Sequence, residues 1–289
     1  MFDVIIFYIL KALLAVCRRL GPVAASDLGA RLARAIGPWL PVSRVGDRNL
    51  RLVMPHLSRR ERRRIIGDVW DNLGRTIGEL PHLGSLDMSD TGPGFVVDGA
   101  SHLQSGPAIY ASAHFGNWEA LPAICARYGA VFSSFYRAAN NRQVDAFILH
   151  LRRAAVRQDI PLFAKGTAGA HAAARHLAKG GALGILVDQK LNEGLELPFL
   201  GKPAMTSAAA ATLALHYRCP IILGRIVREG PARLRLIVEP PLVPRQSNDR
   251  TRDVEALTRM LNDKISDWVL ANPGAWLWLH RRWPRARTG

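Results

Sequence analysis

The sequence predicts an α/β fold: a mostly parallel central sheet covered by helices, behind an N-terminal helical membrane-associating region. Three observations carry that expectation. From residue 92 onward, short apolar runs of strand length alternate with stretches of helical spacing, the pattern of strand–helix–strand units. Residues 21–90 show helical spacing alone, broken at Gly37-Pro38, Pro41, Pro55 and Pro81. Residues 2–17 are almost wholly apolar. The chain of 289 residues is 48% hydrophobic, enough for one large core. We therefore divide it into a membrane-associating segment, 1–20, and a single domain, 21–289, helical over 21–90 and α/β over 91–289.

The opening run, FDVIIFYILKALLAVC, is interrupted by Asp3 and Lys11. It falls short of the roughly 20 apolar residues that span a bilayer comfortably. It has neither a basic leader nor a small-residue cleavage site, which argues against a cleaved signal peptide. Two readings stand: a short uncleaved anchor, or an amphipathic helix lying in the interface. Arg18 and Arg19 follow at once, so a spanning segment would leave the body on the cytoplasmic side.

In the helical region, Ser58-Arg59-Arg60-Glu61 matches a capping box. The helix it opens runs through Ile65, Ile66, Val69, Trp70, Leu73 and Ile77. Arg59, Arg60, Arg62, Arg63 and Arg64 crowd its first turns, against the helix dipole, and are expected to meet an anion. The formal net charge of +16 points the same way. Phospholipid headgroups, a phosphorylated substrate, an acidic protein or nucleic acid would all suit it. Nucleic acid is the weakest of these, because no recognition motif accompanies the charge. Cys17, Cys125 and Cys219 are isolated, with no zinc-finger spacing, so no metal site is expected and a reduced environment is the default.

In the second part, strands are expected at 95–97, 108–111, 131–136, 182–187, 220–227 and 234–238. Helices are expected at 118–129, 141–157, 167–179, 206–217 and about 251–271. The strand at 108–111 leads directly into Ser112-Ala113-His114-Phe115-Gly116-Asn117-Trp118-Glu119. This puts His114 on a strand-to-helix turn, where α/β folds collect their chemistry. Asn117 reads as the helix N-cap and Glu119 lies in the first turn. On a continuous helix His114 and Glu119 would be about 140° apart. With a turn between them, the Glu119 carboxylate can fold back onto one imidazole nitrogen and leave the other free as a base. That is a base and its orienter without a protein nucleophile, an arrangement suited to activating a substrate hydroxyl for attack on an acyl carbonyl.

Other polar clusters fall at strand ends. Tyr136-Arg137 with Asn140-Asn141 offers a guanidinium and an amide to an anionic or carbonyl group. Val187-Asp188-Gln189-Lys190 closes an apolar strand with a carboxylate that needs partners. Pro198-Phe199-Leu200-Gly201 reads as a loop before Thr206-Ser207. Residues 276–283, Trp-Leu-Trp-Leu-His-Arg-Arg-Trp, combine aromatic and basic side chains.

In order and separation these pieces resemble the late acyltransferases of lipid A biosynthesis, within the lysophospholipid acyltransferase superfamily. The resemblance covers nearly the whole chain. It is carried by the apolar N-terminus, Asn49-Leu50, Asn72-Leu73-Gly74-Arg75-Thr76, the H-x4-E box of His114 and Glu119, and Tyr136-Arg137 with Asn140. It continues through Asp188-Gln189, Phe199-Leu200-Gly201 with Thr206, and the closing 278–283 run. Leu200 stands where an aromatic is common, and Ala138 where a proline is frequent. The resemblance implies transfer of a fatty acyl chain from an acyl carrier protein thioester to a hydroxyl of a glycolipid acceptor, a lipid A precursor. It also implies no cofactor, and work at inner-membrane phospholipids on the cytoplasmic face. His114 and Glu119 would form the catalytic pair, with the backbone around 115–118 stabilising the oxyanion. Asn117, Arg137, Asn140, Asp188, Gln189 and Arg281 would bind substrate or order the site. The Trp-rich C-terminus would meet lipid at the interface. A lysophospholipid acceptor, an acyl-coenzyme A donor, or a non-catalytic protein binding anionic lipid are the competing readings.

Overall fold

The computed structural model describes residues 2–136 and 138–283. The N-terminal region consists of α1 (Phe2–Leu20), α2 (Pro22–Ile36), α3 (Pro41–Val53) and α4 (Arg59–Glu79). The four expected breaks all fall outside helix interiors. Gly37–Trp39 and Leu80–His82 form 3₁₀ turns, Pro41 opens α3 and Pro55 follows it. The capping box at α4 is complete: Ser58 Oγ accepts from Glu61 N–H, and Glu61 Oε2 accepts from Ser58 N–H.

No described helix is long and apolar enough to cross a membrane. In α1, Leu14 and Cys17 are buried, while Val4, Ile5, Tyr8, Ile9, Val16 and Leu20 are exposed. The helix is tied to the body by Asn141 Nδ2, which donates to Asp3 O at 2.6 Å, and by a hydrogen bond between His82 Nε2 and Cys17 O at 3.0 Å. Helices α2 and α4 touch backbone to backbone. A Cβ on Gly29 would lie 2.1 Å from Gly74 O, and one on Gly74 would lie 2.2 Å from Gly29 O. Only glycine permits that approach.

The α/β part follows as β1 (Gly94–Asp98), β2 (Ile109–Ser112), α5 (Leu121–Arg127), β3 (Ser133–Tyr136), α6 (Arg142–Val156), β4 (Phe163–Ala164), α7 (Thr167–Ala178) and β5 (Leu183–Leu186). Then come β6 (Lys190–Phe199), β7 (Lys202–Thr206), α8 (Ala209–Tyr217), β8 (Ile221–Gly230), β9 (Arg233–Val238) and α9 (Arg250–Ala271). Seven strands form one sheet in the order β1-β9-β8-β2-β5-β3-β4. Every pair in it is parallel except β8–β9. The central strand β2 is buried along its whole length, as expected for a parallel strand covered on both faces.

The six expected strands are present, with ends adjusted by a few residues. Three more are not in the sequence expectation. β4 is two residues long, too short to read. β6 and β7 form an antiparallel hairpin where the sequence reads as a loop. Its turn is Leu200-Gly201, with φ of 51° and 72°. Two positive φ values in a two-residue connection are the signature of a hairpin turn whose twist matches its strands. Leu200 adopts an angle usually left to Gly or Asn, which hid the turn. The helix expected from residue 206 begins at Ala209, because Thr206 closes β7.

Candidate functional site

Adjacent parallel strands deliver the two central side chains. His114 follows the carboxyl end of β2, and Asp188 follows that of its neighbour β5. Val187 N–H donates to Ser112 O at 2.8 Å, extending the pairing to the brink of the site. Carboxyl ends of parallel strands are where such sheets place ligands. The Asp188 carboxylate, fully buried, accepts from His114 Nδ1 at 2.9 Å through Oδ1. Its Oδ2 accepts from the backbone N–H of His114 at 2.9 Å and from Trp276 Nε1 at 2.8 Å. Burial alone would raise the Asp188 pKa, but the His114 imidazole, by charge and hydrogen bond, holds the carboxyl well below the ordinary carboxylate range.

Since an ionised carboxylate only accepts, Nδ1 of His114 carries the proton and Nε2 presents its lone pair. Gln189 Nε2 lies 3.2 Å from that atom, in position to donate to it. Trp118 packs edge-on to the imidazole with ring centroids 5.2 Å apart. The His114 side chain keeps 16% exposure, against none for Asp188.

The C-terminal segment locks this arrangement. Phe115 and Trp276 form an antiparallel bridge, Leu277 N–H donates to His114 O at 3.0 Å, and Gly116 N–H donates to Ala275 O at 3.0 Å. Asn49 on α3 donates through Nδ2 to Trp278 O at 2.9 Å and to His280 O at 2.8 Å. Asn72 on α4 donates to Gly116 O at 2.9 Å. Gly116 has φ of 56°, and a Cβ there would sit 1.8 Å from Ile226 O. Gly116→Ala is therefore expected to displace the His114 turn, lowering turnover and thermal stability together. A melting curve and activity assay that both match the parent would contradict this.

Glu119 does not fold back onto His114. Arg152 on α6 takes both its oxygens, Nε to Oε2 at 2.8 Å and Nη2 to Oε1 at 2.6 Å. A planar guanidinium is the better partner for a carboxylate, and α6 brings one within reach. Burial works against the Arg152 charge, but Glu119 more than offsets it and raises the Arg152 pKa. The contact with the imidazole expected of Glu119 is made instead by Asp188. Asn117 likewise does not cap the helix. The helix begins as a 3₁₀ turn at Trp118–Ala120, and Asn117 Nδ2 donates instead to the buried Glu79 at 2.7 Å. Glu79 also accepts from Ser26, Arg228 and the backbone N–H of Ala232, forming a buried network that braces the turn from α4. Of the backbone amides at 115–118, Phe115 is committed to Ala113 O and Gly116 to Ala275 O. Neither is free for an oxyanion.

Three further sequence candidates make none of these contacts among the described residues. Arg137 lies outside the described residues. Asn140 is exposed, while its neighbour Asn141 caps α6 by accepting from Gln143 N–H and Val144 N–H. Arg281 is exposed, and it is Arg282 that turns inward. Arg282 donates to Met205 O and Thr206 Oγ1, each at 2.7 Å, and stacks over Phe199 at 4.7 Å. Burial pushes its pKa down to about 10. The Trp-rich C-terminus is not an interfacial belt: Trp276, Trp278 and Trp283 are buried around Phe199. Two of them have partners within the protein, Asp188 for the Trp276 N–H and Pro273 O for that of Trp278, while Trp283 is held by ring contacts with Phe199, Trp276 and Trp278.

Sequence reasoning passed over His280, Trp276, Arg152 and Glu79. His280 Nδ1 bonds to Leu277 O at 2.7 Å, and its buried Nε2 has no partner among the described residues. Its ring lies 6.4 Å from that of His114. Burial holds it below the ordinary histidine range, although Asp188 pulls the other way. Its place inside the aromatic-basic run was the available signal. Among the described residues no group of three or more His, Cys, Asp or Glu side chains could hold a metal ion.

The family described as Bacterial lipid A biosynthesis acyltransferase matches this chain over residues 1–285. Among solved structures, the chain is similar to the 1-acyl-sn-glycerophosphate (LPA) acyltransferase PlsC from Thermotoga maritima. The two share 13% identity with a TM-score of 0.42, over 90% of this chain and 99% of that one. No curated protein sequence matches it.

Proposed function

We propose that this chain, which belongs to the bacterial lipid A biosynthesis acyltransferase family, moves a fatty acyl group from an acyl carrier protein thioester to a hydroxyl of a lipid A precursor. The observation that carries the reading is the His114–Asp188 pair, with Nδ1 of the imidazole held by a buried carboxylate and Nε2 left as a base. In this mechanism the acceptor hydroxyl displaces the Gln189 amide and donates to His114 Nε2. As Nε2 takes the proton, the alkoxide oxygen attacks the thioester carbonyl. The charge forming on Nε2 is stabilised by Asp188, whose carboxylate stays ionised.

The tetrahedral intermediate then collapses, breaking the carbon–sulfur bond. The imidazolium returns its proton to the leaving thiolate, giving ester and free carrier thiol. The amides of Asn117 and Trp118, at the start of the 3₁₀ turn, are the donors we assign to the oxyanion. Glu119 sits on the same turn, held there by Arg152 of α6, and is assigned to positioning rather than proton transfer. Gln189 guards the base in the resting enzyme. No cofactor enters the scheme. We place the enzyme peripherally on the cytoplasmic face of the inner membrane, with the exposed apolar side of α1 against phospholipid.

The test is acyl transfer from a panel of acyl carrier protein thioesters, and from acyl-coenzyme A, to Kdo2-lipid IVA and to a lysophospholipid, read by mass spectrometry. One acyl chain added to the saccharide lipid from the carrier protein is the expected result. Transfer to the lysophospholipid alone, or from coenzyme A alone, would overturn the acceptor or the donor assignment respectively.

A further inference from the structure

The arginine run that opens α4 does not take part in the site above. It faces α3 across a cleft of about 740 Å³. Arg44, Arg48 and Arg51 stand on the outer side of α3, at the spacing that shares one helix face, and Arg59 and Arg63 oppose them from α4. All five are exposed. The single acid in the cleft, Asp47, is already engaged on both oxygens, by Arg51 at 2.6 Å and Arg62 at 2.8 Å. Among the described residues, Arg44, Arg48, Arg59 and Arg63 have no ion-pair partner. Like charges gathered in a concavity repel one another, and a bound anion relieves that repulsion. Guanidinium forks arranged around a cleft match phosphate oxygens.

The rim selects the kind of anion. Trp39 lines the cleft and is 86% exposed, in a chain whose three C-terminal tryptophans nearest the site are all buried. Ile36, Leu40 and Val42 beside it are exposed as well. Exposed aliphatics around an indole suit the boundary between headgroups and acyl chains, where tryptophan is enriched. Beside the arginines they match an anion that carries acyl chains, a headgroup phosphate above and hydrocarbon below.

We propose that the α3–α4 cleft binds the headgroup phosphate of an anionic membrane phospholipid while Trp39 and its aliphatic neighbours enter the interface. This is a second membrane contact, distinct from α1, and it rests on the membrane placement above but on no step of the acyl transfer. It also bears on the site. The inner side of α3 carries Asn49, which clamps the segment holding Trp276 and His280. Docking the outer side of that helix on lipid fixes how the catalytic opening faces the bilayer.

The experiment is cosedimentation of the full chain with phosphatidylcholine vesicles, with and without added phosphatidylglycerol. The parent is compared with Arg48→Glu/Arg63→Glu and with Trp39→Ala, and folding is checked by circular dichroism. Near an anionic surface each arginine contributes about fivefold in affinity. The double reversal is therefore expected to remove an anionic-lipid preference of at least about 25-fold while leaving binding to neutral vesicles, which α1 supports, unchanged. Trp39→Ala should weaken binding to both vesicle types. A folded double variant that keeps its preference for phosphatidylglycerol overturns the proposal. So does a variant with unchanged vesicle binding that has lost binding to acyl carrier protein, an outcome that gives the cleft to the carrier. Inorganic phosphate competing away the parent's vesicle binding at equal phosphate concentration would assign the cleft to free phosphate instead. Loss of neutral-vesicle binding by the parent itself would strike at the membrane placement of α1, not at the cleft.

Discussion

His114→Ala is expected to lower acyl transfer by about 10³-fold or more, the upper range for loss of a positioned general base. Nε2 of His114 is the lone pair that a buried, ionised carboxylate holds ready on the opposite side of the ring. Loss of the imidazole leaves Asp188 still accepting from its remaining two donors, the backbone N–H of residue 114 and Trp276 Nε1. The variant should therefore fold, with a stability cost of about 1–3 kcal/mol for a buried acceptor that has lost one partner. Membrane association should not change, since α1 and its exposed apolar side are untouched. Turnover within a few-fold of the parent would remove His114 from the mechanism.

Asp188→Asn is expected to be nearly as damaging, through a different physical route. The asparagine amide is a donor where the carboxylate accepted. Toward His114 it would pair with an unprotonated Nδ1, moving the ring proton to Nε2 and abolishing the base. Turned the other way, its NH₂ would confront the Trp276 and backbone N–H donors that now converge on Oδ2. Either orientation costs activity, by about 10³–10⁴-fold if the wrong tautomer dominates.

The same residue sets a pH signature. Because the folded pKa of Asp188 is depressed, its contribution to stability is fully present above the ordinary value of 3.8 and is lost as pH falls below that toward the lowered folded value. The parent should thus lose stability on acidification below about pH 4 more steeply than Asp188→Asn does. Parallel acid-unfolding curves for the two would contradict the depressed carboxyl.

Much of this was legible in the sequence. The strand at 108–111, the turn that carries His114, the capping box at Ser58 and the alternation of strands and helices follow from local spacing, and local spacing is what a single chain displays. Asp188 also stood out as a carboxylate at the end of an apolar strand, in need of a partner. What spacing could not show was the pairing. Glu119 is five residues from His114 and Asp188 is 74 residues away, yet parallel strands β2 and β5 bring the distant acid to the imidazole. The near one is drawn off by Arg152, 33 residues further on, from a helix whose docking no local pattern reports. The C-terminal tryptophans misled for a related reason. An indole with a buried acceptor waiting for it reads, in sequence, like one meant for a bilayer. Trp39 is the tryptophan left outside, at 86% exposure. The β6–β7 hairpin escaped notice because Gly194 and Pro198 break its strand pattern and a leucine occupies a positive-φ turn position.

The measurement that tests the central claim most directly is the turnover number of Asp188→Asn beside that of Glu119→Gln, in one acyl-transfer assay at saturating substrates. If Asp188 orients the base and Glu119 only steadies the turn through Arg152, Asp188→Asn falls at least about a hundredfold below Glu119→Gln. The reverse order, with Asp188→Asn close to the parent and Glu119→Gln nearly inactive, would return the orienting role to Glu119 and contradict the account.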